Sequence, residues 1–274
     1  MKRKMLIILL FFPLALWAQE EEDEHYRREY SKFRLGFEAG VGFLYGQTVT
    51  PTNVRENQSY YYDPHHYDRN YYCGYVSDYY SVPHYYIGVK SEISLNTSIS
   101  LATGLRFLGS NSELNSDRQY FLWKVAENNL TTDYVRVKHL TQNNLYVGIP
   151  LEMMLFTYKR DIMCRHFLKG GVNFNFLLAS KTTPYFENEA MNKYAIQIVN
   201  EIEKNTFFAP IGFIGTGLKF GRMNRPFGTV EIRMPFGLKE NASFSSFIKT
   251  SVGIELQTSM YLPLGNKKVY TKKH

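Results

Sequence analysis

Residues 248–262 read IKTSVGIELQTSMYL. Ile248, Thr250, Val252, Ile254, Leu256, Thr258, Met260 and Leu262 fall on one parity; Lys249, Ser251, Gly253, Glu255, Gln257 and Ser259 fall on the other. Side chains along a strand alternate between its two faces, so this is a strand with one apolar and one polar face. The same period recurs in residues 33–45, 87–95, 99–107, 145–155, 168–178, 214–220 and 230–238, which predicts eight strands. Their polar faces carry Arg34, Glu38, Lys90, Glu92, Arg106, Glu152, Lys169, Lys219, Glu231, Arg233, Lys249 and Glu255.

Eight such strands fit two architectures. A water-soluble sandwich or lipocalin-like barrel turns the apolar faces inward. A membrane barrel turns them toward lipid and keeps the charges inside. The connections separate the two. Those at 47–84, 109–143 and 181–207 are long, those at 96–98, 159–165 and 221–227 are short, and 239–246 is intermediate. Long and short alternate, so one rim carries loops and the other tight turns, as in bacterial outer-membrane barrels. Strands of about 9–11 residues suffice to cross when tilted. The expected fold is all-β: an eight-stranded antiparallel transmembrane β-barrel over residues 33–262, with long extracellular loops and short periplasmic turns.

The N-terminus agrees with that destination. Lys2, Arg3 and Lys4 precede a run of 13 apolar residues, 5–17, and residues 20–24 are sharply acidic. A basic start, a short apolar run and Ala18 mark a secretory signal peptide over residues 1–18, too short for a spanning helix. A short N-terminal anchor is the competing reading, and the acidic flank opposes it. Residues 19–32 then form an acidic periplasmic segment and 263–274 a basic tail. Without Lys2, Arg3 and Lys4 the formal net charge falls from +7 to +4, which is not the footprint of a nucleic-acid binder. After the leader no apolar run approaches the ~18 residues of a helical span. Cys73 and Cys164 allow at most one bridge, and the expected topology puts them on opposite rims.

The segment NNLYVGIPLEMMLFTYKRDIMCRHFLKGGVNFNFLLAS, residues 143–180, resembles the PorT-like outer-membrane β-barrel family of the Bacteroidetes. The likeness lies in Ile149-Pro150-Leu151 within a strand, the short turn after it, and the following strand, FLKGGVNFNFLL at 167–178. GTGLKFG at 215–221 and VGIEL at 252–256 are similar in style. The resemblance implies a barrel and, more narrowly, an association with type IX secretion machinery. Its motifs describe strands, so no functional residue transfers through it. Pro150 has no N–H to give a strand ladder. In a closed barrel it marks a bulge or a break in pairing, unless the strand simply starts late.

Residues 60–86 hold 11 of the 22 tyrosines and span the first long connection and the approach to the second strand. Tyr60, Tyr61, Tyr62, Tyr67, Tyr71, Tyr72, Tyr75, Tyr79 and Tyr80 are read as an extracellular recognition loop. Tyrosine offers large contact area, few rotors and a polar tip. A self-packed loop capping the barrel is the competing reading. Tyr85 and Tyr86 are expected in the aromatic girdle. Asp63, His65, His66, Asp68, Cys73 and His84 are zinc-ligand types, but their spacing matches no defined site; no metal and no cofactor is expected. In residues 188–205, Tyr194, Ile198 and Ile202 recur every four residues with Met191 and Ala195 alongside, which predicts a helix capped by Asn188. It serves as a lid, meets a partner, or packs on its own loops. Residues 120–125 and 134–140 read as strand extensions above the membrane.

Glu152, Glu231 and Glu255 share the interior with cations. Paired carboxylates can do acid–base work, but such mixtures inside a narrow barrel more often fill it as salt bridges. With no Ser-His-Asp spacing, phosphate loop or metal box, no enzyme is expected. Eight strands enclose a space that side chains fill, which opposes a general diffusion pore. The expectation is a non-enzymatic integral outer-membrane barrel acting as a structural or interaction scaffold through its extracellular loops. Its partners are outer-membrane lipid and an envelope or secretion-machinery protein. The alternatives are a PorT-type component associated with type IX protein secretion and a narrow small-solute channel.

Overall fold

The computed structural model describes residues 33–54, 79–115, 120–128, 131–157, 163–202, 204–222, 225–239, 243–249 and 251–262. The leader, the acidic segment and the basic tail lie outside them. So do Tyr60, Tyr61, Tyr62, Tyr67, Tyr71, Tyr72 and Tyr75, and Asp63, His65, His66, Asp68 and Cys73.

Nine strands form one antiparallel sheet: β1 (Phe33–Gln47), β2 (Tyr79–Ser94), β3 (Ile99–Asn115), β4 (Phe121–Asn128), β5 (Thr131–Phe156), β6 (Cys164–Phe186), β7 (Phe208–Arg222), β8 (Arg225–Gly237) and β9 (Val252–Tyr261). Neighbours run β3-β2-β1-β9-β8-β7-β6-β5-β4, and β3 also pairs with β5. That last pairing closes eight strands into a ring. It leaves β4 outside the ring, paired with the upper part of β5 and bridged at Trp123 to Val54. The ring has the eight strands that the alternation predicts, and β4 is the extension expected at 120–125.

Every residue of β9 alternates between exposed and buried. On β1, Phe37, Val41 and Phe43 face outward while Arg34 and Glu38 are buried. A water-soluble fold would do the opposite, since ions taken from water lose their hydration and exposed apolar surface costs free energy. The exterior is therefore built for lipid. Ten residues of β9 at about 3.3 Å each, tilted about 40°, rise about 25 Å, the height of the apolar band of such barrels. β5 and β6 have 26 and 23 residues and run far past that band. On β5 the outward positions change from Leu145 to Asn143, where the wall leaves lipid.

The short-turn rim is tight. At the β7–β8 turn Gly221 has φ 97°, the left-handed region that glycine enters without strain. Two inward prolines interrupt the ring's ladders. Pairing of β3 with β5 skips Gly104 and Leu105 opposite Pro150 and Ile149, while Pro150 still faces Asn173 on β6. Pairing of β8 with β9 skips Met234 and Pro235. Each break falls where the missing N–H leaves a ladder position without a donor.

Two expectations need correction. Tyr86 is not in the girdle; it is buried in the lumen, because it alternates with Tyr85 and Ile87, which both face out. Lys249 is not an interior charge; it is exposed. β1 and β9 pair as Tyr45↔Val252, but the next bridge beyond is Thr48↔Ile248. Four steps on one chain there oppose three on the other, a bulge that reverses the facing of residues 248 and 249.

Above the ring, the β6–β7 connection holds a 3₁₀ turn (Glu189–Tyr194) and a short helix, α1 (Ala195–Glu201). Asn188 caps the turn by accepting from Ala190 N at 3.0 Å. Ile198 and Ile202 bury against Val54, Trp123, Val135, Val137 and Phe247, with Met191 and Tyr194 alongside. The expected apolar stripe thus packs onto β4, upper β5 and neighbouring loops.

Candidate functional site

The lumen is crossed by ion pairs arranged in levels. At the level nearest the short turns, Glu92 Oε1 accepts from Arg34 at 2.7 Å and from Lys219 at 2.5 Å, and Oε2 accepts from Tyr261 OH at 2.5 Å. Beyond it, Glu152 lies 2.6 Å from Lys169, 2.5 Å from Arg106, 3.1 Å from Arg233 and 3.3 Å from Lys90. Glu231 meets Lys169 at 2.9 Å and Arg233 at 3.1 Å. Glu38 accepts from Arg106 Nε, from Arg106 Nη2 at 3.0 Å and from Gln257 at 3.0 Å. Toward the long loops, Glu255 accepts from Tyr86 OH at 2.7 Å and lies 3.2 Å from His84 Nε2 and 3.4 Å from Arg233.

Eleven of the twelve charges expected inside are therefore buried, three of them (Arg34, Glu92, Lys219) in one ion-paired cluster and the other eight in a second, Lys249 being the exception. All eight ring strands contribute. A buried charge is tolerable only when paired and hydrogen-bonded, and here each carboxylate receives two or more donors or cations. Among the described residues the lumen buries seven Lys or Arg and five Glu, an excess of two positive charges.

Several network members escape a search for charged residues alone. Tyr86, Gln257, Tyr261, Asn173 and His84 are buried hydrogen-bonding partners of the ions. Parity marks each of them. Arg165, expected in the turn at 159–165, belongs to β6 and is buried with its guanidinium 4.4 Å from the Phe156 ring centroid. Counting back by twos from Lys169 identifies it. Space for the Tyr86 ring comes from Gly40, where a Cβ would collide with that ring. His84, the one described member of the zinc-type set, faces Glu255 inside the lumen. Tyr79 and Tyr80 pair with Gln47 and Gly46 at the long-loop end of β2.

The outer mouth is filled by the β8–β9 connection. Phe244 inserts between His84 and Tyr146, with ring centroids 5.2 and 5.3 Å away, inside a cluster that includes Leu44, Val82 and Leu108. Its carbonyl accepts from Ser110 Oγ at 2.8 Å and Asn144 Nδ2 at 2.9 Å. Ser245 Oγ donates to Ser112 at 2.8 Å, and Ser246 N donates to Gln142 Oε1 at 2.9 Å. Upper β3 and β5 thus hold this inturned loop by polar side chains. Its sequence, NASFSSFI, has no strand period to announce it.

Residues 17–243 match a family described as outer membrane protein beta-barrel domain. Among solved structures, the chain is similar to the N-terminal β-barrel domain of Pseudomonas aeruginosa OprF. Identity is 10%, coverage is 83% of this chain and 99% of that one, and the TM-score is 0.28. No curated protein matches. The family match spans most of the chain, and the apolar exterior and ionic lumen are what that family requires in a membrane. The chain belongs to the outer membrane protein beta-barrel domain family and resides in the outer membrane.

Proposed function

We propose that this barrel is a closed, non-enzymatic scaffold that presents an ordered extracellular cap to a protein partner in the envelope. The observation that carries this reading is the presence of two separate cores. One is the ion-paired lumen. The other is apolar and stands above the membrane, where β4, upper β5, α1 and Phe247 meet. Loops that only join strands need no core of their own; loops ordered by packing offer a fixed surface. The tyrosine-rich stretch lies in sequence between Val54, in that core, and Tyr79 on β2, and its tyrosines are assigned to recognition by their chemistry alone. Each lumen carboxylate is neutralised by neighbours, which favours bracing over acid–base work.

The narrower form of the proposal is a component associated with type IX protein secretion, supported by the resemblance to PorT-like barrels. The leader is then removed after Ala18, leaving Gln19 as the mature N-terminus. The test is gentle detergent extraction of the tagged protein from native outer membranes, with identification of what stays bound. Envelope or secretion proteins that are lost on deleting residues 60–80 sustain the proposal. A clean monomer overturns the docking role.

A further inference from the structure

β3, β5 and β6 continue past the lipid-facing wall as one sheet. One side of this extension carries Leu114 and Leu140, which are buried in the core of the cap. The other side looks outward. Its lowest row is Gly109, Leu145 and Ala179, at the edge of the apolar belt. The Tyr85 ring lies over Gly109, where a Cβ would collide with it. In the next row Asn111, Asn143 and Lys181 stand side by side, all exposed. Thr141 and Thr183 follow above them. At the top His139 stacks on Tyr185, with ring centroids 4.3 Å apart and planes at 26°, and Glu113 Oε1 lies 3.9 Å from His139 Nε2. Tyr185 remains 46% exposed.

Two bulges frame this face. Between Tyr146↔Leu177 and Leu145↔Ala179, β6 holds one extra residue, Leu178. Below it the odd-numbered Lys169, Asn173 and Asn175 point into the lumen; above it Lys181 and Tyr185 point out. An extra residue on β5, Lys138, ends the face above His139.

The height of the face decides what can touch it. His139 lies six residues up the strand from Leu145. At about 3.3 Å per residue and a tilt of about 40°, it stands about 15 Å above the hydrocarbon edge. The interfacial zone of a bilayer is only about 5–8 Å deep on each side. A phospholipid head group therefore reaches Asn143 and Lys181 but stops short of Tyr185. A lipid whose head group continues as linked sugars reaches all three. The chemistry agrees. A sugar ring has hydroxyls round its rim and polarised C–H groups on its faces. Amides and hydroxyls both donate and accept toward the first, and the negative face of an aromatic ring takes the second. A protein-docking patch has an apolar centre, whereas the described rows above Leu145 carry no aliphatic side chain on this face.

We propose that this face binds the sugars of an outer-leaflet glycolipid whose acyl chains lie against the apolar belt below. It is on the opposite side of the sheet from the cap core and needs no protein partner. It shares with the docking proposal only the extracellular placement of the long loops, which labelling of Cys164 reads separately. The test titrates the full-length protein in detergent with fluorescent lipopolysaccharide that carries its core sugars, and with lipid A, which lacks them. The native protein is expected to bind the sugar-bearing lipid about tenfold more tightly than lipid A. Tyr185→Ala and Asn143→Ala are each expected to weaken that binding about fivefold and to leave lipid A unaffected. Tyr185→Phe keeps the ring and should bind like the native protein. Tyr45→Ala removes an exposed tyrosine on β1, outside the face, and is the control. The proposal is overturned if the native protein binds both lipids equally, if Tyr185→Ala and Asn143→Ala bind normally, or if Tyr45→Ala loses as much as they do. A protein partner that is lost with Tyr185→Ala while lipid binding stays unchanged overturns it too.

Discussion

Lys219 on β7 and Glu92 on β2 stand four strands apart in either direction round the ring, and their side chains meet at 2.5 Å. One ion pair thus spans the barrel from wall to wall, with both side chains fully buried. The two partners are not equivalent. Glu92 serves Lys219, Arg34 and Tyr261 together. Lys219 serves one carboxylate and lies over the rings of Tyr261 and Phe156. Glu92→Gln strands two buried cations and is expected to cost about 3–5 kcal/mol. Lys219→Met leaves Glu92 with two donors and is expected to cost about 1–2 kcal/mol. In the double variant the losses are less than additive. Urea unfolding in lipid vesicles measures all three; equal costs for the single variants contradict the role of Glu92 as a hub.

The exterior gives a complementary prediction. Ile87 faces lipid midway along β2 and is 66% exposed. Ile87→Arg places a charge in hydrocarbon and should destabilise the barrel by about 2–4 kcal/mol. Ile196, on α1, is 77% exposed yet stands in water above the membrane. Ile196→Arg should change stability by less than about 0.5 kcal/mol. The same unfolding measurement separates them, and equal effects would mean that the apolar belt does not face lipid.

Much of this was legible because a membrane barrel alternates two environments residue by residue. Glu38 between Phe37 and Ala39, or Glu92 between Ser91 and Ile93, can be assigned to the lumen by parity alone. Parity fails where the chain gains a residue. The bulge before Val252 turns Lys249 outward, and nothing in the side chains of 249–251 reveals it. It also fails to mark where the membrane ends: Thr141 and Asn143 continue the strand in water, where neither face needs to be apolar. The inturned Phe244 loop is legible only in three dimensions, because the Ser and Gln side chains that hold it come from β3 and β5, about 100 residues or more away in sequence.

The cap should respond independently of the barrel. Glu201 accepts from Trp123 Nε1 at 2.8 Å and from Asn53 at 2.7 Å, joining α1 to β4 and to the end of the β1 connection. The chain has two tryptophans, Trp17 and Trp123, so the protein from Gln19 onward reports Trp123 alone. Glu201→Ala is expected to cost the cap about 1–3 kcal/mol and to shift Trp123 emission to the red. The unfolding midpoint of the barrel should stay unchanged. A barrel that unfolds earlier, with emission unmoved, would show that cap and barrel form one cooperative unit.

Topology can be tested at Cys164, an exposed free thiol at the short-turn end of β6. In a Cys73→Ser background, a bulky impermeant maleimide should leave Cys164 unlabelled in intact cells and label it once the outer membrane is opened. Labelling in intact cells would place the short turns outside.

The sealing of the lumen is tested most directly by electrical recording of the purified, folded protein in a planar lipid bilayer. With Glu92, Glu152 and Glu38 each bridged to cations on other strands and Phe244 seated in the mouth, the account predicts no steady open-channel current. A stable, reproducible conductance from the unmodified protein would contradict it and turn the lumen from a brace into a path.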